Sequence, residues 1–372
     1  MNVLNYIGSK RSLCNTIYKV IEQTMTNNNE CLNNMTFLDL FAGAGSVSFF
    51  MKNYVKYIGA IDFEYYSFVI LNALLKCEYN DKIKYHIQVL NSLDGKQNKL
   101  GLVSKHYAPN KENQCERMFF TSKNANLCDS MREYIEIIYL NNQINQNEYY
   151  FLLASLLVSM DSVANTSCVY GAYLKKFKAS SNKILYVLPI HTLNYLYQDN
   201  NIIQLQYNNI YNVKAEDLLL EKEIYYDIIY LDPPYNQRQY AANYSPLNYI
   251  AYYDSNIKLT GKTGLIENYN KSDFCSKPKV KKVFKTLFDR LKGKCKYVYL
   301  SYNNEGLLNY QDLISLLKNY GNITCYKIPY KKFKAQKNVD KLDVMEYLWF
   351  IDMTKSMDDI PGEFNEIHFD MI

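Results

Sequence analysis

The chain contains 372 residues, of which 48% are hydrophobic, and its formal net charge is +5. This length and apolar content predict one large α/β domain with a smaller one. The best apolar run, residues 149–160, is shorter than the roughly 18 to 20 residues of a membrane span, and motif residues at the N-terminus leave no room for a signal peptide. Nine cysteines without CxxC spacing and only four histidines predict reduced cysteines, no metal and a cytoplasmic location.

The first part of the chain alternates between predicted helices and strands. We expect a helix over residues 11–26, strands over 36–41 and 57–62, a helix over 66–77 and a strand over 84–90. Residues 91–126 are polar and contain glycine and proline, which indicates a linker or flexible loop. Two further helices are expected over 130–140 and 147–163, so the segment 91–205 interrupts the alternation as a mainly helical insert.

The alternation resumes after the insert. The expected elements are strands over 210–213 and 227–231, a helix over 280–291, a strand over 297–300 and a helix over 307–319. Strands over 323–328 and 345–351 are predicted to pair antiparallel at the sheet edge, and residues 353–372 are predicted to form an acidic tail. This order predicts a Rossmann-like α/β fold with a mostly parallel sheet and an antiparallel edge strand.

A glycine turn follows the first predicted strand. Gly43 and Gly45 permit positive φ angles and a close backbone approach to a ligand at the N-terminus of the next helix. Asp39, just before the turn, would repel a pyrophosphate but would hold an ammonium group such as that of S-adenosylmethionine. Asp62 ends the second strand, where an acid can bind ribose hydroxyls. A solvated strand-end aspartate is an equally good interpretation of Asp62 alone.

Another apolar strand ends in Asp232, Pro233, Pro234 and Tyr235. The prolines lack a backbone donor and stop the strand, which leaves carbonyl acceptors beside the carboxylate. At the carboxyl edge of a parallel sheet these groups suit a planar base with an exocyclic amine. Asp232 and the Pro233 carbonyl would accept its hydrogens, and Tyr235 would cover its face. The alternative for this tetrapeptide alone is an apolar strand followed by a proline-rich turn.

Three motifs occur in an order that resembles one family. The segment 5–11 (Asn-Tyr-Ile-Gly-Ser-Lys-Arg), the glycine turn and the Asp-Pro-Pro-Tyr tetrapeptide resemble the Dam-like class of adenine-specific DNA methyltransferases. The resemblance implies an S-adenosylmethionine-dependent methyltransferase fold, with residues 1–90 and 206–352 as the catalytic core and 91–205 as the inserted DNA-recognition region. It also implies transfer of a methyl group to N6 of an adenine that is flipped out of duplex DNA.

The resemblance assigns roles to individual residues. Tyr6 and Lys10 would help to bind S-adenosylmethionine, and Asp62 would bind its ribose. An acid after the strand 210–213 would hold the cofactor adenine; we assign it to Asp217, although Glu216 fits the same place and Asp217 can also be a helix N-cap. The predicted cofactor site comprises Tyr6, Lys10, Asp39, Phe41, Gly43, Gly45, Asp62, Asp217 and Asp232. The predicted catalytic residues, acting without a metal or a covalent intermediate, are Asp232, Pro233, Pro234 and Tyr235.

Basic residues cluster in three runs that suit a phosphate backbone. They lie at 277–296, 330–337 and 175–178, and lysine binds phosphate without regard to base sequence. For the first run, a solvated helix face is the better interpretation. The DNA-binding residues that we predict are Arg238, Lys175, Lys331 and Lys332.

The expected partners follow from this reaction. Double-stranded DNA is the expected substrate of a bacterial or phage-encoded enzyme associated with the nucleoid. A cognate restriction endonuclease encoded nearby is a further expected partner. We expect no membrane partner, and a monomer or weak dimer, because a monomer suffices to methylate one strand at a time.

Three alternatives remain open at this stage. The same pocket could methylate an adenine amine in RNA or the amine of cytosine, and the basic runs do not separate the two polymers. A catalytically silent DNA-binding module that keeps the fold is a third alternative, against which the intact motifs argue. Carbon-5 methylation of cytosine is excluded because the chain contains no Pro-Cys nucleophile motif.

Overall fold

The computed structural model describes residues 4, 6–96, 100–191, 208–330, 344–354 and 362–368. Its strands are β1 (Thr36–Asp39), β2 (Tyr57–Ile61), β3 (Asn209–Tyr211), β4 (Ile228–Leu231), β5 (Leu259–Thr260), β6 (Leu265–Ile266), β7 (Tyr297–Asn303), β8 (Asn322–Tyr330), β9 (Val344–Asp352) and β10 (Phe364–His368).

The α-helices of these residues lie on both sides of the strands. In chain order they are α1 (Cys14–Asn27), α2 (Ser46–Met51), α3 (Tyr65–Lys76), α4 (Asp81–Ser92), α5 (Leu102–Tyr107), α6 (Ser122–Leu140), α7 (Gln146–Ser162), α8 (Ala215–Leu218), α9 (Tyr240–Asn243), α10 (Ser245–Tyr252), α11 (Val280–Leu291) and α12 (Tyr310–Leu317). Short 3-10 turns occur at Arg11–Leu13, Leu32–Asn34, Ala179–Asn182 and Asp273–Cys275.

One large sheet has the strand order β10-β8-β9-β7-β4-β1-β2-β3, and β5 and β6 form a separate hairpin. Within this sheet the five strands β3, β2, β1, β4 and β7 are parallel to one another. Strand β9 lies between β7 and β8 and is antiparallel to both. The chain moves outward from β1 to β3 and then returns to β4, so the strand order reverses between β1 and β4. The predicted Rossmann-like, mostly parallel sheet is confirmed, as is the antiparallel pairing of residues 323–328 with 345–351.

Alternate residues of the central strands pack on opposite faces of the sheet. Phe37 of β1 and Tyr230 of β4 belong to the hydrophobic cluster that includes α1 and α3. Their neighbours Leu38 and Ile229 belong to the cluster that includes α11 and α12. Because both faces are covered, every residue of β1 and β4 is buried, and all of them are apolar except Thr36 and Asp39 at the two ends of β1. This packing holds the carboxyl ends of the two strands side by side.

The helical insert joins the core through one hydrophobic cluster. Phe151 of α7 belongs to the same cluster as Phe37 of β1. The buried Arg132 of α6 donates hydrogen bonds to the carbonyl oxygens of Ile250 (3.3 Å) and Ala251 (3.4 Å) near the end of α10. Carbonyls at a helix C-terminus have no partner within the helix, so the guanidinium stabilises that end. The insert is thereby attached to the segment that follows Tyr235.

The strand predicted over residues 84–90 is wrong, because this segment lies within helix α4. Asn80 caps the helix: its side-chain oxygen accepts a hydrogen bond of 2.9 Å from the backbone of Ile83. The buried residues Ile83, Ile87 and Leu90 follow the spacing of one helix face, and this spacing outweighs the short alternation of polar and apolar residues.

Two other segments contain more regular structure than the sequence predicts. The expected linker 91–126 contains α5 and the start of α6. Within the expected acidic tail 353–372, β10 pairs parallel with β8, and Glu366 lies 2.7 Å from the Lys327 ammonium. Residues 364–368 of the expected acidic tail are therefore part of the sheet, because backbone pairing and this ion pair hold β10 at the sheet edge. Among the described residues, no helix is long and apolar enough to cross a membrane.

Replacing Asp129 with alanine tests how the insert is stabilised. The buried Asp129 carboxylate accepts hydrogen bonds from the backbone of Val103 and Ser104 (2.8 Å each) and from the Tyr253 hydroxyl (2.9 Å). The variant leaves these donors without their partner, so we expect the free energy of unfolding to fall by about 2 to 4 kcal/mol in urea denaturation. The exposed helix cap Asn309 is the control, and its alanine variant should lose only about 1 kcal/mol. Equal losses of unfolding free energy in the two variants would contradict the stabilising role of Asp129.

Candidate active site

A cavity opens at the carboxyl ends of β1, β2 and β4. The space between its walls is about 1110 Å³ when the open mouth is included. Its position beside the reversal of strand order is where ligands bind in open α/β sheets. Of the predicted site residues, the structure brings together Tyr6, Lys10, Asp39, Phe41, Gly43, Asp62, Asp232 and Pro234 around this cavity.

The glycine turn has the conformation that the sequence predicts. Gly43 and Gly45 have φ angles of 52° and 77°, and Gly45 precedes the first turn of α2. A Cβ atom on Gly43 would lie 2.7 Å from the Tyr6 ring. Gly43 is therefore required both for its backbone angle and for the close approach of Tyr6.

Two tyrosines after the Asp-Pro-Pro-Tyr motif hold the N-terminal motif against the cavity. The Tyr6 ring packs against the rings of Tyr240 (centroids 5.4 Å apart) and Tyr244 (5.1 Å), which also pack against each other. The backbone N–H of Ile7 donates a hydrogen bond of 2.8 Å to the Tyr244 hydroxyl. Neither tyrosine is among the predicted site residues, since in a chain with 38 tyrosines no local pattern distinguishes them.

Asp39 offers an unused acceptor to the cavity. Its Oδ2 accepts a hydrogen bond of 2.6 Å from the Ser48 hydroxyl, whereas its Oδ1 is buried and has no partner within the described part of the chain. Burial raises the pKa of Asp39 to about 7. A buried acceptor without a partner is unfavourable, so this oxygen suits the positively charged ammonium group of a ligand.

Asp62 is oriented by the backbone around it. Its Oδ2 accepts a hydrogen bond from Gly43 N–H and its Oδ1 accepts one from Glu64 N–H, both of 2.8 Å. Burial raises the pKa of Asp62 to about 6. A carboxylate oxygen can accept more than one hydrogen bond, so Asp62 at the wall of the cavity can also accept hydrogen bonds from ligand hydroxyls.

Lys10, which is buried, forms an ion pair with Asp232, which is half-buried at the wall of the cavity. The Lys10 Nζ lies 2.7 Å and 2.9 Å from the two carboxylate oxygens of Asp232, and 3.4 Å from Oε1 of Glu346. Burial would lower the pKa of Lys10, but the two carboxylates together hold it well above its usual value. Lys10 is therefore charged, and it fixes the position of the Asp232 carboxylate at the end of β4.

Of the other three residues of the Asp-Pro-Pro-Tyr motif, one lines the cavity and two do not. Pro234 lines the cavity, whereas Pro233 is buried and lies outside the lining. The Lys10 ammonium stands over the Tyr235 ring, 5.4 Å from its centroid, and Tyr235 packs edge-on against Tyr302. Tyr235 is thus beside Asp232 but outside the lining of the cavity.

The structure corrects the assignment of Asp217. Its side chain is 61% exposed and lies 3.9 Å from Arg290, away from the cavity. Glu216 lines the cavity instead, and burial raises the pKa of Glu216. The strand-to-helix connection before α8 decides which of two adjacent acids turns inward, and the sequence alone does not define that connection.

The predicted DNA-binding residues have different positions. Arg238 and Lys175 are exposed, whereas Lys331 and Lys332 lie outside the described residues. The loop with Lys175 is supported by Asn165, whose side-chain amide donates 2.9 Å hydrogen bonds to two backbone carbonyls. In the run 277–296, the paired lysines are Lys279 with Asp273, Lys281 with Asp312, Lys285 with Asp289, and Lys296 with Glu30 and Asp227.

Charges around the cavity favour a cationic ligand. The lining contains three lysines, Lys10, Lys214 and Lys271, and six carboxylates, Asp39, Asp62, Glu64, Glu216, Asp232 and Asp273. S-adenosylmethionine carries a sulfonium and an ammonium group against one carboxylate. The surplus of acids, the unpartnered oxygen of Asp39 and the space kept by Gly43 fit this cofactor. No cluster of metal-binding side chains occurs among the described residues.

Comparison with known proteins identifies the family. A model of the D12 class of N6 adenine-specific DNA methyltransferases matches residues 6–316. The chain belongs to this family. It is 37% identical to the type II methyltransferase M.NlaIII of Neisseria lactamica and 38% identical to M.CviAII of Paramecium bursaria Chlorella virus 1. These matches cover 94% of this chain and 100% and 99% of the relatives.

Other relatives differ in length or similarity. The chain is 32% identical to M.FokI of Planomicrobium okeanokoites, of which it covers 52%. A Listeria monocytogenes structure assigned to the class I S-adenosylmethionine-dependent methyltransferases covers 99% of this chain and 66% of its own, with a TM-score of 0.37 and 10% identity. The fold assignment rests on the strand order of this chain. Family membership confirms the predicted enzyme class, adenine-specific methylation of DNA.

Replacing Gly43 with alanine tests whether the close approach of the Tyr6 ring to Gly43 is needed for cofactor binding. The new methyl group would displace the Tyr6 ring and strain the backbone, so we expect at least about tenfold weaker binding of S-adenosylmethionine in calorimetry. Gly293 is a matched control, because it has a φ of 72° with nothing within 4 Å of an added Cβ. The Gly293→Ala variant should lose stability but keep its affinity. Equal affinities of both variants would contradict the role of Gly43.

The affinity for S-adenosylmethionine should depend on pH through Asp39. With its pKa near 7, Asp39 becomes protonated as the pH falls from about 8 to 6, and a neutral carboxyl binds an ammonium group weakly. We expect the wild-type affinity to fall by up to about tenfold per pH unit below 7. Asp39→Asn should bind weakly and should lose the part of the pH dependence that is centred near pH 7, whereas titration of Asp62 near pH 6 and of Glu64 near pH 8 remains. An unchanged pH profile in this variant would exclude Asp39.

Proposed function

We propose that this chain transfers a methyl group from S-adenosylmethionine to N6 of an adenine flipped out of duplex DNA. The observation that supports this most directly is the half-buried Asp232 carboxylate, held by Lys10 at the end of β4 and facing the same cavity as the glycine turn. An acceptor fixed beside a cofactor cavity is what an exocyclic amine needs in order to be oriented for transfer.

The cofactor is proposed to be bound by residues from four parts of the chain. Asp39 would accept the ammonium group, Asp62 the ribose hydroxyls and Glu216 the amine of the cofactor adenine. Tyr6 would pack over the glycine turn against the ligand. When bound, S-adenosylmethionine supplies an electrophilic methyl group at the sulfonium.

Asp232 and its neighbours are proposed to orient the target base. The amine of adenine is a poor nucleophile because its lone pair is delocalised into the ring. By accepting hydrogen bonds from the two N–H groups, Asp232 and the Pro233 carbonyl would favour a more tetrahedral nitrogen with an available lone pair. Tyr235 would stack on the flipped base. The enzyme therefore acts through positioning and electrostatics.

Recognition of DNA is proposed to rest on the insert 91–205 together with the segment after Tyr235. The loop that contains Lys175 is connected to α9 by a 2.8 Å hydrogen bond from the Tyr170 backbone to the Asn243 carbonyl. Helix α9 begins with Tyr240, which lines the cavity, so this loop and the exposed Arg238 lie near the site of methyl transfer. Basic side chains in such positions suit the phosphates on either side of a flipped base.

The biological setting is proposed from the relatives. M.NlaIII and M.CviAII match almost their whole length and are named type II methyltransferases. By analogy, this chain would protect DNA in a restriction-modification system, with a cognate endonuclease as its functional partner. Its DNA substrate would place it in the cytoplasm, at the nucleoid.

Substitution of Asp232 tests the proposed chemistry. Asp232→Ala removes the acceptor, and we expect at least about a 100-fold slower transfer of labelled methyl to unmethylated duplex DNA. S-adenosylmethionine should still bind, although more weakly because one carboxylate of the cavity is lost, so the rates are compared at saturating cofactor. The control is Asp217→Ala, which removes an acid outside the cavity and should keep the wild-type rate. The product should be identified as N6-methyladenine in digested DNA.

Two outcomes would contradict the proposal. Turnover by Asp232→Ala at the wild-type rate would exclude Asp232 as the acceptor. Label that appears in total RNA but not in DNA would retain the pocket chemistry and replace the substrate polymer.

A further inference from the structure

Glu346 is a buried acid that none of the sequence motifs contains. It lies in β9, and in the strand register it is opposite Asn303 of β7 and Ile328 of β8. Its side chain is 7% exposed, and its Oε1 is 3.4 Å from the Lys10 Nζ. The Ser301 hydroxyl donates a hydrogen bond of 2.6 Å to the same oxygen. Glu346 is thus fixed by β7 and faces the ion pair at the end of β4.

The formal charges of Lys10, Asp232 and Glu346 do not sum to zero. Lys10 is the basic side chain paired with Asp232, and among the described residues it is also the one paired with Glu346. One ammonium between two carboxylates has a formal charge of −1. A net charge that is shielded from water is unfavourable unless an opposite charge approaches it. The cluster therefore attracts a cation into the neighbouring cavity.

Methyl transfer changes the charge of the cofactor at its sulfur atom. The donor is a sulfonium with a charge of +1, and the product S-adenosylhomocysteine is an uncharged thioether. Transfer of the methyl group leaves the former sulfonium bonding pair on sulfur, and the amine loses a proton after it gains the methyl group. A negative cluster beside this position would interact with the donor more favourably than with the product.

We infer that Glu346 is a positioning residue that holds Lys10 on Asp232 and that its charge makes the cavity favour the sulfonium donor over the thioether product. This inference rests on the proposed function, because it requires S-adenosylmethionine in this cavity. Through Glu346, β9 would favour binding of S-adenosylmethionine and release of S-adenosylhomocysteine. Glu346 acts through Lys10 and through its field.

The test compares the affinities of the two ligands in the full chain. Glu346→Gln keeps an oxygen that can accept the Ser301 hydrogen bond but removes the charge. Calorimetry should show that S-adenosylmethionine binds about tenfold more weakly, whereas the affinity for S-adenosylhomocysteine stays within about twofold. Glu346→Asp should restore much of the preference. Glu366→Gln, which removes the acid of an ion pair on β10, is the control and should leave both affinities unchanged.

Each result bears on the inference. If Glu346→Gln weakens both ligands equally, or neither, the charge of Glu346 does not select the donor and the inference is wrong. If Glu346→Gln does not fold, Ser301→Ala replaces it; this variant keeps the charge but releases its anchor and should shift the same ratio by about threefold. An unchanged ratio in Ser301→Ala would then reject the inference.

The binding measurement is also separable from the proposed function. It needs no DNA, so a wild-type chain that binds both ligands but methylates no DNA would contradict the proposed function while the affinity ratio still decides the role of Glu346. A wild-type chain that binds neither ligand would overturn both. Single-turnover methylation with saturating cofactor gives a further readout: Glu346→Gln should slow transfer while Glu366→Gln should not.

Discussion

The ion pair between Lys10 and Asp232 is the interaction on which the site depends. These residues are 222 positions apart, and Lys10 would be a costly buried charge without Asp232. The pair requires the N-terminal segment to cross the carboxyl end of β4. Packing of Tyr6 against Tyr240 and Tyr244 supplies the apolar contact that holds the segment there. The cavity at the carboxyl ends of β1, β2 and β4 is the space enclosed by this crossing and the glycine turn.

Charge is distributed in opposite ways inside and outside the molecule. The chain as a whole has a formal charge of +5, whereas the cavity is lined by more carboxylates than lysines. A basic exterior favours a polyanion such as DNA, and an acidic cavity favours a cation. Because the two ligands of a DNA methyltransferase have these opposite charges, each surface attracts one ligand and disfavours the other.

The helical insert and the catalytic core share their supporting contacts. Arg132 of α6 stabilises the end of α10, and the Tyr170 backbone binds the carbonyl of Asn243 in α9. Of the two tyrosines that hold the N-terminal motif, Tyr240 begins α9 and Tyr244 connects α9 to α10. A displacement of the insert by a bound duplex would therefore act on the same helices that shape the cavity.

Local physical chemistry determined the motifs: positive φ angles require Gly43 and Gly45, and two prolines end β4 at Asp232. The alternation of apolar strands and helices likewise determined the parallel sheet. Only the tertiary structure decided which of Glu216 and Asp217 faces the cavity, because that depends on the connection before α8. It also decided that Glu346 joins Lys10, since β9 reaches β7 through strand pairing across distant sequence. Short-range preferences determine elements and turns, whereas contacts between distant side chains exist only once the chain has folded.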